Sequence, residues 1–110
     1  MKIDIKLPQQ TFVIIATTLQ PVYNSTPHTR KEKSTLSIAL DVVTKIESKT
    51  GSINKQSTLF DQKKTMKISF KHHEADILEL LLIDQMKYVE DDYIKMQIQK
   101  TINLLNQKLV

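Results

Sequence analysis

The densest group of side chains that could do chemistry is His72, His73, Glu74 and Asp76. Imidazole and carboxylate groups bind divalent metals, and His72 and Asp76 would share one face of a helix because they are four residues apart. The group lacks the paired-histidine spacing of zinc proteases, however, and no third ligand is evident. Glu74 and Asp76 also suit the first turn of a helix, where carboxylates offset the positive end of the helix dipole. We therefore predict a strand-to-helix junction here and no metal site.

A second acidic run, Glu90 to Asp92, is the other candidate for acid–base chemistry. Paired carboxylates act as acid and base only in an apolar cleft that shifts their pKa values, whereas acids at a helix start commonly serve as caps. The single glycine excludes phosphate-cradling loops and dinucleotide fingerprints, which need several glycines within a few residues. The absence of cysteine excludes thiolate metal sites, disulfides and cysteine nucleophiles. We expect a non-enzymatic protein without a cofactor.

Lysines give the chain its net charge of +4. If they converge on one surface, they can follow a phosphate backbone with a salt-dependent affinity. Fifteen of the 16 basic residues are lysine, which weakens this hypothesis because arginine makes the bidentate base and phosphate contacts that lysine cannot. Nucleic-acid binding is therefore the alternative function, with these candidate contacts: Arg30, Lys31, Lys55, Lys63, Lys64, Lys67 and Lys71.

Apolar residues near the carboxyl terminus indicate a different kind of contact. From Ile94 to Leu109 they recur every three or four positions, which predicts a helix with a continuous apolar seam. The stretch from Ile77 to Ile83 is apolar around most of a helix, as is typical of a helix that is central or shared with a partner. The preferred function is an interaction protein that binds a protein partner or a second copy of itself. Its candidate apolar interface comprises Phe60, Ile98, Ile102, Leu105 and Leu109.

An internal echo, meaning a similarity between the segments that begin at Met1 and at Met66, guides the assignment of the first half of the chain. Met1–Leu7 and Thr65–Lys71 both alternate in the manner of half-buried strands, and we expect them to pair. Aligning Met1 with Met66 places the β-branched stretch 11–18 over a clearly helical segment. We therefore predict a helix over residues 8–23 that Pro21 ends or kinks. The alternative is a second strand that closes an N-terminal hairpin.

The bounds of the remaining elements are predicted from residues that typically begin or end helices. Thr29 and Glu32 have the form of a capping box, so a helix is predicted to start there and to end at Gly51. A flexible loop is expected over 51–64. The next helix should span about 73–86, and the last should start at Asp91 or Asp92.

Together these elements predict one domain over residues 1–110, of the α+β class and predominantly helical. The order is β-α-α-β-α-α, with a two-stranded sheet covered by helices, or an N-terminal β-hairpin followed by helices. No apolar run approaches the ~20 residues of a membrane span, and we expect a cytoplasmic protein. The lysine- and isoleucine-rich composition is typical of an AT-rich coding sequence. It suits a phage or mobile-element accessory protein, such as a regulator or an inhibitor of a host factor.

Overall fold

The computed structural model describes residues 2–56 and 64–110, which form two strands, four α-helices and one short 3-10 helix. The predicted class, α+β and predominantly helical, is confirmed. In chain order the elements are β1 (Lys2–Pro8), α1 (Gln9–Thr18), the 3-10 helix (Gln20–Asn24), α2 (Arg30–Gln56), β2 (Thr65–Lys71), α3 (His72–Met86) and α4 (Asp92–Leu109).

The two strands pair with each other, antiparallel, as one two-stranded sheet. Ile3 lies opposite Phe70 and Ile5 opposite Ile68, and all four side chains are buried. Because side chains alternate along a strand, the intervening residues of both strands point to the other, solvent-facing side. The sheet therefore has one face in the core and one face in water, as the alternation predicts.

The segment that is ambiguous in the sequence is a helix, α1, as the internal echo indicates. The hydroxyls of Thr17 and Thr18 donate to the carbonyl oxygens of Val13 and Ile14 at 2.9 and 2.8 Å. Such bonds one turn back satisfy threonine side chains within a helix, so β-branched residues do not prevent it from forming here. The α-helix ends at Thr18, before Pro21, which lies in the first turn of the 3-10 helix.

The capping box of α2 is confirmed. The backbone N–H of Glu32 donates to Oγ1 of Thr29 at 3.1 Å, and Oε2 of Glu32 accepts from the backbone N–H of Thr29 at 3.1 Å. The predicted end of α2 is wrong, because the helix continues through Gly51 to Gln56. Gly51 does not adopt the positive φ of a helix-ending glycine. The predicted loop thus loses its first six residues to α2, and residues 57–63 lie outside the described residues.

The helices cover the inner face of the sheet and share one core with it. Side chains from both strands and all four helices contribute: Ile3, Ile5, Phe12, Ile15, Val42, Ile46, Ile68, Phe70, Leu78, Leu82, Ile98 and Leu105. Helix α3 packs against both α2 and α4, and the consecutive helices α3 and α4 form a helical hairpin. No described helix has the length and apolar content to cross a membrane.

Candidate interaction surfaces

The histidine group lies at the start of α3, where it has a structural role. Oε1 of Glu74 accepts a 2.7 Å hydrogen bond from the backbone N–H of Lys71 and lies 4.0 Å from Nζ of Lys45. His72 and His73 are exposed. In residues 2–56 and 64–110, no three histidine or carboxylate side chains come close enough together to hold a metal ion.

The acidic run before α4 also serves a helix end. Oδ1 of Asp91 accepts from the backbone N–H of Ile94 at 2.9 Å, so Asp91 is the N-cap of α4. Asp92 follows in the first turn, where its charge offsets the helix dipole. The capping role expected for this run is confirmed.

Among the described residues, the predicted basic side chains do not come together on one surface. Lys67 and Lys71 lie on the exposed face of β2, and Lys64 is exposed just before that strand. Arg30 and Lys31 begin α2, about 22 Å along the helix from Lys45, which contacts the end of β2. The backbone of Lys55 lies in the last turns of α2, and Lys63 lies outside the described residues. Arg30 and Lys31 are therefore separate from the lysines of β2.

A different set of lysines does converge, through the register of the sheet. Lys2 lies directly opposite Lys71, and Lys6 lies directly opposite Lys67, with all four side chains on the exposed face. Lys108 of α4 is close enough to act on Asp4 in the middle of this face. We call these residues the lysine face: Lys2, Lys6, Lys67, Lys71 and Lys108. Lys2, Lys6 and Lys108 are absent from the predicted contacts because they are distant in sequence from the lysine clusters.

Asp4 is the one acid among the outward-facing residues of β1 and β2. Its carboxylate accepts a hydrogen bond from the Ser69 hydroxyl and lies 3.8 Å from Nζ of Lys67. The bond from Ser69, followed by the charges of Lys67, Lys2 and Lys108, lowers the pKa of Asp4 below its usual 3.8. Asp4 therefore stays ionised at neutral pH, and it neutralises only part of the surrounding positive charge.

The four described residues of the predicted apolar interface lie in the interior of the fold. Ile98, Ile102 and Leu105 are buried in the core, and Leu109 packs against it. The seam of α4 faces the chain's own helices and strand β1, so these residues are not an exposed interface. The periodicity identifies which face of α4 is buried, but it does not identify what covers that face. Phe60 lies outside the described residues.

The α3–α4 hairpin and its connection instead carry five of the eight large apolar or aromatic side chains that are exposed in the described part of the chain. Leu80 is 54% exposed and Ile83 is 47% exposed, one turn apart on α3. Ile83 lines a groove of about 510 Å³ together with Met96 of α4. Tyr93 lies one turn before Met96, and Tyr88 lies in the connection between the helices. We call this set the hairpin surface: Leu80, Ile83, Tyr88, Tyr93 and Met96.

The sequence contained a signal for part of the hairpin surface. The stretch Ile77 to Ile83 is apolar around most of the helix, and a single neighbouring layer cannot cover every side of such a helix. In the structure Leu78 and Leu82 are buried, whereas Leu80 and Ile83 face outward. No comparable signal marks Tyr88 and Met96, because single aromatic or methionine residues are common on protein surfaces.

A second groove, of about 430 Å³, lies between the 3-10 helix and the first half of α2. Val22, Leu36, Ala39 and Leu81 supply its apolar lining, and residues 25–28 form one side. At its edge the backbone N–H groups of His28 and Thr29 hold the carboxylate of Glu32 and lower its pKa. The polar groups at this edge are thus engaged in capping α2.

Comparisons of the chain with protein-family models, with characterised proteins and with solved structures find no significant match.

Proposed function

We propose that this chain is a non-enzymatic interaction protein that binds a protein partner through the hairpin surface. The observation that carries the proposal is the concentration of exposed apolar side chains on the α3–α4 hairpin, two of which, Ile83 and Met96, line one groove. Eight large apolar or aromatic side chains are exposed in the described part of the chain, and five of them lie between residues 80 and 96. Apolar residues scattered singly need no explanation, whereas a contiguous group of them is typical of a protein interface.

The types of side chain support a protein partner. Tyrosine and methionine are enriched in protein interfaces, where each side chain buries a large apolar area. The hairpin surface contains two tyrosines and one methionine beside two aliphatic residues. A groove between two helices, such as the one that Ile83 and Met96 line, accepts the side chains of a third helix.

The charges around this surface favour a second copy of the chain as the partner. Asp84 and Lys87 form an ion pair of 3.1 Å at one side of the groove, and Asp92 and Lys95 lie at the other side. Two acids and two bases allow the surface to meet its own copy without net repulsion, as a two-fold symmetric interface requires. Two lysine faces, in contrast, would repel each other. A pair of α3–α4 hairpins would form a four-helix arrangement.

Sedimentation velocity over a range of protein concentrations tests the proposal. We expect a concentration-dependent dimer for the wild-type chain, and a dimer dissociation constant raised more than about tenfold by Ile83→Asp, since a charge buried at the interface is left unpaired. Val13→Asp is the matched control, because Val13 is an exposed apolar residue on α1, outside the hairpin surface. Circular dichroism establishes that both variants are folded.

Two results would refute self-association through the hairpin surface. A wild-type chain that remains monomeric at high micromolar concentration excludes the second copy as the partner. Equal weakening by Ile83→Asp and Val13→Asp excludes the hairpin surface as the site of contact. The phage or mobile-element setting rests on composition alone and stays a prediction, as does the cytoplasmic location.

A further inference from the structure

We infer that the lysine face binds the phosphate backbone of a nucleic-acid duplex, without reading its sequence. Four of its lysines project from the exposed side of the sheet as two directly opposed pairs, Lys2 with Lys71 and Lys6 with Lys67. Register partners lie about 5 Å apart across the strands, and the two pairs lie about 13 Å apart along them. Positive charge is thus concentrated on a small surface.

Helix α4 extends this positive charge along the edge of β1. Lys108 acts on Asp4, near the start of β1, and Lys100 lines a shallow groove with Leu7 and Pro8 at its end. Lys108 follows Lys100 by eight positions, about 12 Å along the helix, close to the length of strand between Asp4 and Pro8. A second row of lysines therefore runs beside the first.

The arrangement is costly unless an anion is present. Like charges placed directly opposite each other on neighbouring strands destabilise a sheet, and this sheet contains two such pairs. Asp4, the one carboxylate on the face, is already engaged by Ser69 and Lys67. A phosphate backbone would neutralise both pairs at once and release counterions from the nucleic acid, which drives binding.

The character of the face favours a duplex over a membrane or a single strand. The other outward-facing residues of the two strands are Asp4, Pro8, Thr65 and Ser69. None of these is aromatic or long and apolar, so the face has no side chain that could enter a lipid layer or stack on an unpaired base. Lysine ammonium groups contact phosphates as point charges and lack the planar fork with which arginine recognises phosphates and bases. The expected binding is therefore independent of sequence.

The lysine face and the hairpin surface are separate. Lys71 precedes Ile83 by 12 residues, or about 18 Å along α3, and Lys108 follows Met96 by the same interval along α4. A second copy of the chain on the hairpin surface would leave the lysine face open. The inference does not depend on the proposed protein partner.

Fluorescence anisotropy with a labelled mixed-sequence DNA duplex, and with an RNA duplex of the same length, tests the inference. The test variant is Lys6→Glu/Lys71→Glu, which turns both like-charged pairs into opposite-charged pairs and so preserves the sheet. The matched control is Lys31→Glu/Lys33→Glu at the start of α2, remote from the sheet. Each variant lowers the net charge of the chain from +4 to zero.

We expect the wild-type chain to bind duplexes at about 50 mM salt and to lose affinity steeply towards 200 mM. The test variant should weaken binding more than about tenfold and reduce the salt slope by about 1.8, because two phosphate contacts are lost. The control variant should bind nearly as the wild type does. No duplex binding at about 50 mM salt would overturn the inference, and so would equal losses in the two variants. Tighter binding to anionic phospholipid vesicles than to either duplex would overturn it in favour of a membrane.

Discussion

Lys6 and Lys67 are register partners across the two strands, with both side chains on the exposed face of the sheet. This like-charged pair predicts that stability and binding respond in opposite directions to one substitution. Lys6→Glu should stabilise the fold by about 0.2–1 kcal/mol, because a repulsive cross-strand pair becomes an attractive one. The same change should weaken duplex binding. Chemical denaturation and anisotropy on the same sample measure both effects, and a loss of stability would show that the cross-strand repulsion is unimportant.

The interior position of the α4 seam predicts a sharp contrast between two neighbouring residues. Ile98 is fully buried, so Ile98→Ala should destabilise the chain by about 2–5 kcal/mol through lost burial and the cavity left behind. Met96→Ala, on the exposed side of the same helix, should change monomer stability by less than about 0.5 kcal/mol. Urea unfolding at low protein concentration measures both. Similar small effects would mean that the seam does not face the core.

The continuation of α2 through Gly51 predicts a stabilising substitution. Gly51 has no positive φ, and a Cβ atom at this position would meet no atom within 4 Å. Gly51→Ala should therefore raise the free energy of unfolding by about 0.4–1 kcal/mol, since alanine costs less conformational entropy in a helix. Thermal denaturation checks the sign. A destabilised variant would place the end of the helix at Gly51, as the sequence pattern predicts.

The hydrogen bond from Ser69 predicts the titration of Asp4. Its pKa in the folded chain should lie below 3.8, and Ser69→Ala should raise it towards that value because the largest stabilising contact is removed. The folded-state pKa lies below the unfolded value. Asp4 therefore contributes stability above the unfolded pKa, and the contribution is lost as pH falls through the folded pKa. An NMR titration of the Asp4 carboxyl measures the change, and an unchanged pKa in the variant would contradict the assigned cause.

The sequence predicts the elements of this fold well where local patterns are decisive. The alternation of β1 and β2, the caps at Thr29 and Asp91 and the internal echo that makes α1 a helix are all confirmed. Gly51 misleads because glycine marks a helix end only when it adopts positive φ, which depends on the residues around it.

The surfaces were harder to predict because they depend on contacts between distant residues. Lys2 and Lys71 become neighbours only through the register of two strands far apart in the chain. The apolar seam of α4 was predicted to be an interface because its periodicity shows that Ile98 and Leu105 are covered. Periodicity does not show that the covering residues belong to the same chain. The sequence shows that Leu80 and Ile83 belong to a helix that is apolar around most of its circumference. It does not show that these two residues are exposed, because their exposure depends on how α2 and α4 pack against α3.

The most direct test of the central claim, that the hairpin surface binds a second copy of the chain, is a disulfide cross-linking measurement. The chain has no cysteine, so a single introduced thiol can form a disulfide only with the same thiol of a second copy. Under mild oxidation, Ile83→Cys should form a covalent dimer much faster than Val13→Cys, because a residue central to a two-fold interface meets its own copy. Addition of unlabelled wild-type chain should slow the reaction by competing for the interface. Equal rates for the two thiols, or no effect of the competitor, would contradict the account.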